Sequence, residues 1–270
     1  MFICGLIAYR VYEERALNLQ VFWDVWFFVV GAVVGSFLNV VIYRLPRGES
    51  VVWPGSKCSS CGAPVKWFNN IPILSWFILR GKCAECGAPF SIRYQAVELM
   101  TAVLFAACHH KFGLTSPALI YMALCASLVA VIFIDIDHLV IPDKITLPGI
   151  VAGFLCAWFF LPLPMTDSLY GFLAGGGTFL LLALVVPGGM GGGDIKLMGM
   201  VGAFLGLKAA FLTIFVGSLL GSIGGLTGII AFGKGRKSKI PFGPYLAVAA
   251  IASIFFKDEL INFYWSLIAK

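Results

Sequence analysis

The sequence predicts an all-α polytopic membrane protein of about eight transmembrane helices, with a small cysteine-rich cytoplasmic domain inserted between the first and second. Three observations predict it. The 270 residues are 60% hydrophobic and only 12% charged, with a mean hydropathy of +0.96, far from the composition of a water-soluble domain. Apolar runs of spanning length recur from Val21 to the C-terminus, and the one large polar insertion carries two C-x-x-C pairs.

The spans are expected at 21–43, 95–111, 117–135, 145–161, 169–187, 208–232 and 241–264. Eleven of the 19 Lys and Arg residues fall in two loops. Arg44, Arg47, Lys57, Lys66, Arg80, Lys82 and Arg93 follow the first span, and Lys234, Arg236, Lys237 and Lys239 precede the last. Short basic loops stay on the cytoplasmic side, so an even number of crossings should separate these two. The segment 195–206, short and interrupted by glycine, supplies the missing crossing if it packs among neighbouring helices. The alternative is a re-entrant or interfacial segment there.

This topology divides the chain into an N-terminal extension 1–20, a first transmembrane helix 21–43, a cytoplasmic loop domain 44–94 and a transmembrane domain 95–270. The extension contains Glu13, Glu14 and Arg15 and has no assigned role. Met1 to Tyr9 lacks a basic start and is followed by the charged stretch Arg10 to Arg15, so no cleavable signal peptide is expected. Clustering of the cations at span ends makes the net charge of +6 a marker of topology, and no nucleic-acid partner is expected. Glycines at 175–177, 188–193, 217, 221, 224, 225 and 228 suit closely packed membrane helices.

Within the loop, Cys58-Ser-Ser-Cys61 and Cys83-Ala-Glu-Cys86 have the spacing of a four-thiolate zinc site. Gly62 and Gly87 follow each pair, as a knuckle turn with positive φ requires. Disulfides are the competing reading, disfavoured by a reducing cytoplasm. The expectation is therefore a zinc-knuckle domain with a structural metal. Cys4, Cys108, Cys125 and Cys156 lack partners at ligand spacing and read as small buried hydrophobes. Trp67 to Leu79 either lies on the membrane surface or packs within the loop domain.

Two carboxylates stand out at span ends: Asp135 closes the run Leu128 to Ile134, and Asp194 ends a glycine run. The topology puts both at cytoplasmic ends. Paired carboxylates hydrolyse peptides by sharing a proton, one activating water and the other polarising the carbonyl. Gly-x-Gly-Asp alone also fits a flexible loop ending in a helix N-cap. Asp143 is placed to cap the following helix, Asp137 to face water, and Lys196 to meet either Asp194 or substrate. His138 reads as a bystander.

These residues together resemble the type IV prepilin peptidases. The resemblance runs over about residues 30–250: Gly35 through Pro46, the C-x-x-C pairs flanking Asn70 to Trp76 and Leu79 to Cys83, and Ser91 to Tyr94 with Glu98. It continues through Asp135 to Asp143, Gly191 to Lys196 and Pro241 to Gly243-Pro244. It implies that Asp135 and Asp194 are the catalytic aspartates of a membrane peptidase in the bacterial cytoplasmic membrane, with its active site facing the cytoplasm. The implied substrate is a type IV prepilin or pseudopilin precursor with a short basic leader, cleaved after Gly before a hydrophobic helix. The resemblance further implies N-methylation of the new amino terminus with S-adenosylmethionine, a step tied to the cysteine domain. Motif match makes Glu49, Gly81 and Lys82 candidates for the methylation region; equally, they could only shape the basic loop. A transporter relaying protons through the two aspartates and a non-catalytic assembly scaffold are the competing classes. The oligomeric state is not legible.

Overall fold

The computed structural model describes residues 2–58, 60–186, 189–232 and 241–268. The basic cluster Lys234 to Lys239, Gly188, and the side chains of Cys4, Glu13, Glu14 and Arg15 lie outside the described residues. The described chain is helical: α1 (Phe2–Arg44), α2 (Leu74–Ile78), α3 (Arg93–Phe112), α4 (Ser116–His138), α5 (Asp143–Phe159), α6 (Met165–Val185), α7 (Gly192–Phe232) and α8 (Gly243–Ile268). Short 3-10 turns at Leu45–Arg47 and Trp67–Asn70 are the remaining helical elements, and no strand occurs among the described residues.

Among the described residues, four helices are long and apolar enough to cross a membrane: α1 with the 3-10 turn that follows it over Leu17–Arg47, α4, α6, and α7 over Gly192–Gly228. The other expected spans fall on α3, α5 and α8. Length and composition mark these less clearly, because α3 carries Arg93, Glu98 and Lys111, α5 has 17 residues, and α8 is interrupted by Lys257, Asp258 and Glu259. The boundary drawn at 20/21 on composition falls inside one continuous helix, α1.

The chain forms two compact units, residues 1–40 with 52–126, and residues 41–51 with 127–270. In the first, α1 and α3 meet at Gly31 and Gly35, where an added Cβ would lie 2.8 Å from the Ala102 Cα and 2.6 Å from the Glu98 Cα. Such backbone contact substitutes for the hydrophobic driving force that lipid does not provide between helices. Nearer the other end of the pair, Asp24 takes His109 and His110 through their Nδ1 atoms at 2.5 and 2.9 Å, and Phe27 stacks on His109.

In the second unit, α7 packs against α5, α6 and α8, and the later part of α4 belongs to the same unit, with Leu128, Val131, Leu197, Met198, Val201 and Leu246 fully buried. The expected short segment 195–206 is the first arm of α7, which breaks at Gly206 (φ 81°, ψ −178°). A break in apolar surroundings leaves backbone groups without helical partners. Neighbouring α6 supplies them: the Asp167 carboxylate accepts from the Leu207 N–H (3.3 Å), and the Ser168 hydroxyl donates to the Ala203 carbonyl (2.6 Å).

Candidate active site and metal centre

Asp135 lies one turn before the end of α4 and is 5% exposed. Its backbone carbonyl accepts from the Leu139 N–H (2.9 Å), after which Leu139 turns left-handed (φ 55°) and Pro142 leads into α5. The side chain reaches a different helix: its Oδ2 accepts from the backbone N–H of Gly243, the first residue of α8, at 3.0 Å. An N-terminal amide has no partner within its own helix, so the carboxylate satisfies it, and the bond is charge-assisted when the group is ionised.

Asp194 is in the first turn of α7, where its own N–H donates to the Gly191 carbonyl (3.1 Å). One side chain links the two acids. An added Cβ on Gly193 would come 2.8 Å from Ile141 Cβ, and one on Gly243 would come 2.7 Å from Asp135 Oδ2 and 2.9 Å from Ile141 Cδ1. Asp135 is thereby joined, through Gly243 and Ile141, to the backbone of Gly193 immediately before Asp194. The ends of α4, α7 and α8 and the link into α5 thus bring two carboxylates together with three glycines, Gly191, Gly193 and Gly243, whose lack of a side chain lets Ile141 and the acids pack directly on the backbone.

Asp143 was expected to cap α5. The N-cap is instead Pro142, without a side-chain bond, because Asp143 is already inside the first turn and takes Lys196 with both oxygens (2.7 and 2.8 Å). That pair also answers where Lys196 points: to Asp143. Asp137 is exposed.

In the other unit, the sulfurs of Cys58, Cys61, Cys83 and Cys86 all lie within 4.8 Å of one another, with Cys58 and Cys86 3.9 Å apart. Tetrahedral thiolates about 2.3 Å from one zinc ion would be about 3.8 Å apart, so the donor set fits. The two turns repeat each other. Cys58 N–H donates to Ala63 O and Gly62 N–H to Cys58 O (2.9 Å each), while Cys83 N–H donates to Ala88 O and Gly87 N–H to Cys83 O (2.8 and 2.9 Å). Gly62 and Gly87 have φ of 73° and 72°, the left-handed geometry expected of them. Backbone N–H groups of Cys61 and Ser60 pull the Cys58 thiol down to about 6. Cys86 has an amide donor at Ala88, yet its thiol neighbours, Cys61 first and then Cys83 and Cys58, push it up to about 11. Four crowded thiols hold few negative charges unless a cation joins them. Cys108 and Cys125 are buried as expected and Cys156 is partly so.

The methylation-region candidates divide between the units: Glu49 is in the turn after α1, while Gly81 and Lys82 precede the second cysteine turn. Gly81 (φ 68°) lies against the Trp76 indole, where a Cβ would be 2.9 Å from Nε1, and Lys82 bridges to Pro89. Glu98 and Gly243 belong to the motifs that carry the resemblance, with no role legible in the sequence. Each turns out to be half of a long-range backbone contact, Glu98 with Ile73 and Gly243 with Asp135.

Family models match most of the chain: the Bacterial Peptidase A24 N-terminal domain over residues 29–112 and the Type IV leader peptidase family over 122–226. Among curated proteins, the prepilin leader peptidase/N-methyltransferase of Myxococcus xanthus is 40% identical over 78% of this chain, which spans 64% of that protein. Proteins of the same name from Pseudomonas putida and Pseudomonas aeruginosa are 34% and 35% identical over 86% and 87% of this chain, covering 90% and 91% of their own lengths. No solved structure matches.

Proposed function

Because the chain belongs to the type IV leader peptidase family, we propose that it cleaves the basic leader from type IV prepilins or pseudopilins by a two-aspartate mechanism and methylates the amino terminus so exposed. The observation that carries the peptidase reading is the convergence of Asp135 and Asp194 around Ile141 and the unsubstituted backbones of Gly191, Gly193 and Gly243.

Asp135 and Asp194 are the catalytic pair. Two carboxylates in a water-poor site share one proton, because both cannot ionise cheaply at close range. The ionised member takes a proton from the attacking water, and the protonated member donates to the scissile carbonyl oxygen as the tetrahedral intermediate forms. Gly191, Gly193 and Gly243 let the backbone pack directly on the two acids and on Ile141, which sets where the acids stand. The hydrophobic helix following the leader packs among the membrane helices, with its junction at the cytoplasmic face.

The full arrangement consists of about eight spans, with α3, α5, α8 and the two arms of α7 each crossing, in the bacterial inner membrane with the aspartates facing the cytoplasm. The N-terminal extension is residues 1–20, the first span 21–43, the loop domain 44–94 and the peptidase domain 95–270. Cys58, Cys61, Cys83 and Cys86 hold a structural zinc ion that fixes the two knuckle turns. Methylation with S-adenosylmethionine is proposed from the relatives' shared name. Gly81, Lys82 and Glu49 stay candidates for its region. Their contacts do not make up a cradle for the methyl donor.

The test is purified protein in vesicles with a peptide carrying a basic leader, a Gly-Phe junction and a hydrophobic helix, read by mass spectrometry with and without S-adenosylmethionine. Wild type should cleave at the junction, and Asp135→Asn and Asp194→Asn should each lose at least about 10²- to 10⁴-fold, the range of a positioned acid or base. Equal cleavage by both variants would sink the two-aspartate mechanism, and no cleavage by well-folded wild type would favour the scaffold or transporter reading.

A further inference from the structure

The loop between α1 and α3 presents its apolar residues outward. In α2, Leu74, Phe77 and Ile78 share one face at spacing i, i+3, i+4 and are 59%, 64% and 74% exposed. The polar side is turned in: Ser75 is buried, with its hydroxyl donating to the Ile71 carbonyl (2.6 Å), and Trp76 packs on Gly81. Trp67 is another exposed aromatic just upstream, at 81%. A water-facing loop would show the reverse pattern.

The depth of α2 can be read from its attachment. Ile73, which leads into α2, has φ 64°, a region a β-branched residue enters only when held there. Its N–H donates to Glu98 Oε2 at 2.7 Å. Glu98 is 6% exposed, takes a second bond from Ser36, and its backbone lies directly on Gly35 of α1. Gly35 is nine residues before Arg44, where α1 ends, and Glu98 five residues after Arg93, where α3 begins. At 1.5 Å per residue these offsets are about 13 and 8 Å along the helix axes. Helical side chains lean toward the N-terminus, which brings the Glu98 carboxylate a few ångströms nearer the start of α3. Arg44 and Arg47 mark where α1 leaves the apolar span. A headgroup layer about 5–8 Å thick therefore places α2 at the headgroup–acyl boundary.

Charge complements this position. Residues 44–94 carry seven Lys or Arg against the two carboxylates Glu49 and Glu85, and cations beside exposed aromatics favour an anionic lipid surface.

We propose that α2 is an interfacial membrane anchor of the cysteine loop, with Leu74, Phe77 and Ile78 inserted at the headgroup–acyl boundary of an anionic bilayer and Glu98 clamping them at that depth through the Ile73 amide. The inference rests on α1 crossing the membrane and is independent of the peptidase reading, since cleavage is not its readout.

The test places the fluorescent residue dansylalanine singly at Ile78, at Ser60 as a loop reference and at Val29 as a mid-span reference, with the full chain in vesicles of phosphatidylglycerol and phosphatidylcholine. Quenching is measured with aqueous iodide and with lipids bearing nitroxides at shallow or deep acyl positions. At Ile78, iodide quenching should be at least about fivefold weaker than at Ser60 and shallow nitroxides should quench strongly, as for an anchor about 5–10 Å deep. Val29 should respond to deep nitroxides. Glu98→Ala should restore iodide access at Ile78, and Glu98→Gln should not, because its amide oxygen still accepts the Ile73 N–H. Circular dichroism checks that each variant keeps its helices. Iodide access at Ile78 equal to that at Ser60 overturns the anchor. Shielding from both quenchers means a protein surface covers α2 and overturns it as well, as does a Val29 probe that deep nitroxides do not reach. An Ile78 probe unmoved by Glu98→Ala overturns the clamp.

Discussion

Substituting the glycines before Asp194 one at a time separates a flexible linker from a close-packed approach. The chain reads Gly191-Gly192-Gly193-Asp194, and a linker valued for freedom alone should suffer similarly at each position. The surroundings differ sharply. A Cβ on Gly192 meets nothing within 4 Å; one on Gly191 comes 2.9 Å from Asp194 Oδ2; one on Gly193 comes 2.8 Å from Ile141 Cβ. Restoring an ordinary 3.4 Å contact requires Ile141 to recede by about 0.6 Å. Ile141 Cδ1 abuts the Gly243 backbone that hydrogen-bonds Asp135, so the displacement reaches both acids. A 1 Å error in a catalytic group costs about 10²-fold, so about 10-fold in kcat/KM is expected for Gly193→Ala. Overpacking adds a stability loss of about 1–3 kcal/mol. Gly191→Ala should slow cleavage by a comparable factor by crowding Asp194 directly. Gly192→Ala, in the first turn of α7, should cleave within about twofold of wild type and gain up to about 1 kcal/mol from helix propensity. Initial rates on the leader peptide in vesicles, with thermal unfolding of each variant, decide it. Equal damage at 192 and 193, or full activity in Gly193→Ala, would refute the close-approach account.

Asp135→Asn should keep an acceptor for the Gly243 N–H and unfold within about 0.5 kcal/mol of wild type, whereas Asp135→Ala should lose about 1–3 kcal/mol for the orphaned buried amide. Thermal unfolding in detergent checks both, and each should be inactive. At the break in α7, Asp167→Ala should cost about 0.5–2 kcal/mol, the usual loss for a helix cap, and Gly206→Ala should cost more, because its φ of 81° and the abutting Asp167 both oppose a Cβ. The same measurement checks them, and a neutral Gly206→Ala would overturn the account of the break. Metal analysis should find one zinc per chain in wild type and a marked deficit in Cys83→Ser, while Cys108→Ser keeps full stoichiometry; retention by Cys83→Ser would remove the zinc assignment. The exposed Lys196–Asp143 pair should contribute no more than about 1 kcal/mol, measured as the unfolding difference of Lys196→Met in low and high salt.

Local signals were the legible ones. The cysteine turns depend on four ligands, two glycines and short spacings, and the sequence specifies all of them. The helix break was foreshadowed by the shortness of 195–206, but its partners Asp167 and Ser168 come from another helix about 40 residues away, and nothing local announces them. Asp143 was misassigned because a carboxylate near a helix start looks like a cap, and Lys196, 53 positions on, competes for it. The Gly31–Gly35 contact with α3 went unread for a related reason. Small residues in an apolar run state that something approaches closely without saying what, and here it is the backbone of Glu98 and Ala102.

The two acids are held in different ways, and this bears on how the site can evolve. Asp194 has a local origin: it stands in the first turn of its own helix, supported by Gly191 three residues before it. Asp135 is held across 108 positions by the first amide of α8, so the start of that helix and the position of the carboxylate are one structural fact. The Pro-Phe-Gly-Pro sequence at 241–244 serves this bond. Pro244 occupies a first-turn position where a missing N–H costs nothing, which leaves the Gly243 amide as the donor turned to Asp135. Any residue larger than glycine at 243 would place its Cβ on the carboxylate it supports. Change at 243 is therefore constrained by a residue more than a hundred positions earlier, even though the segment looks from the sequence like an ordinary turn into a helix.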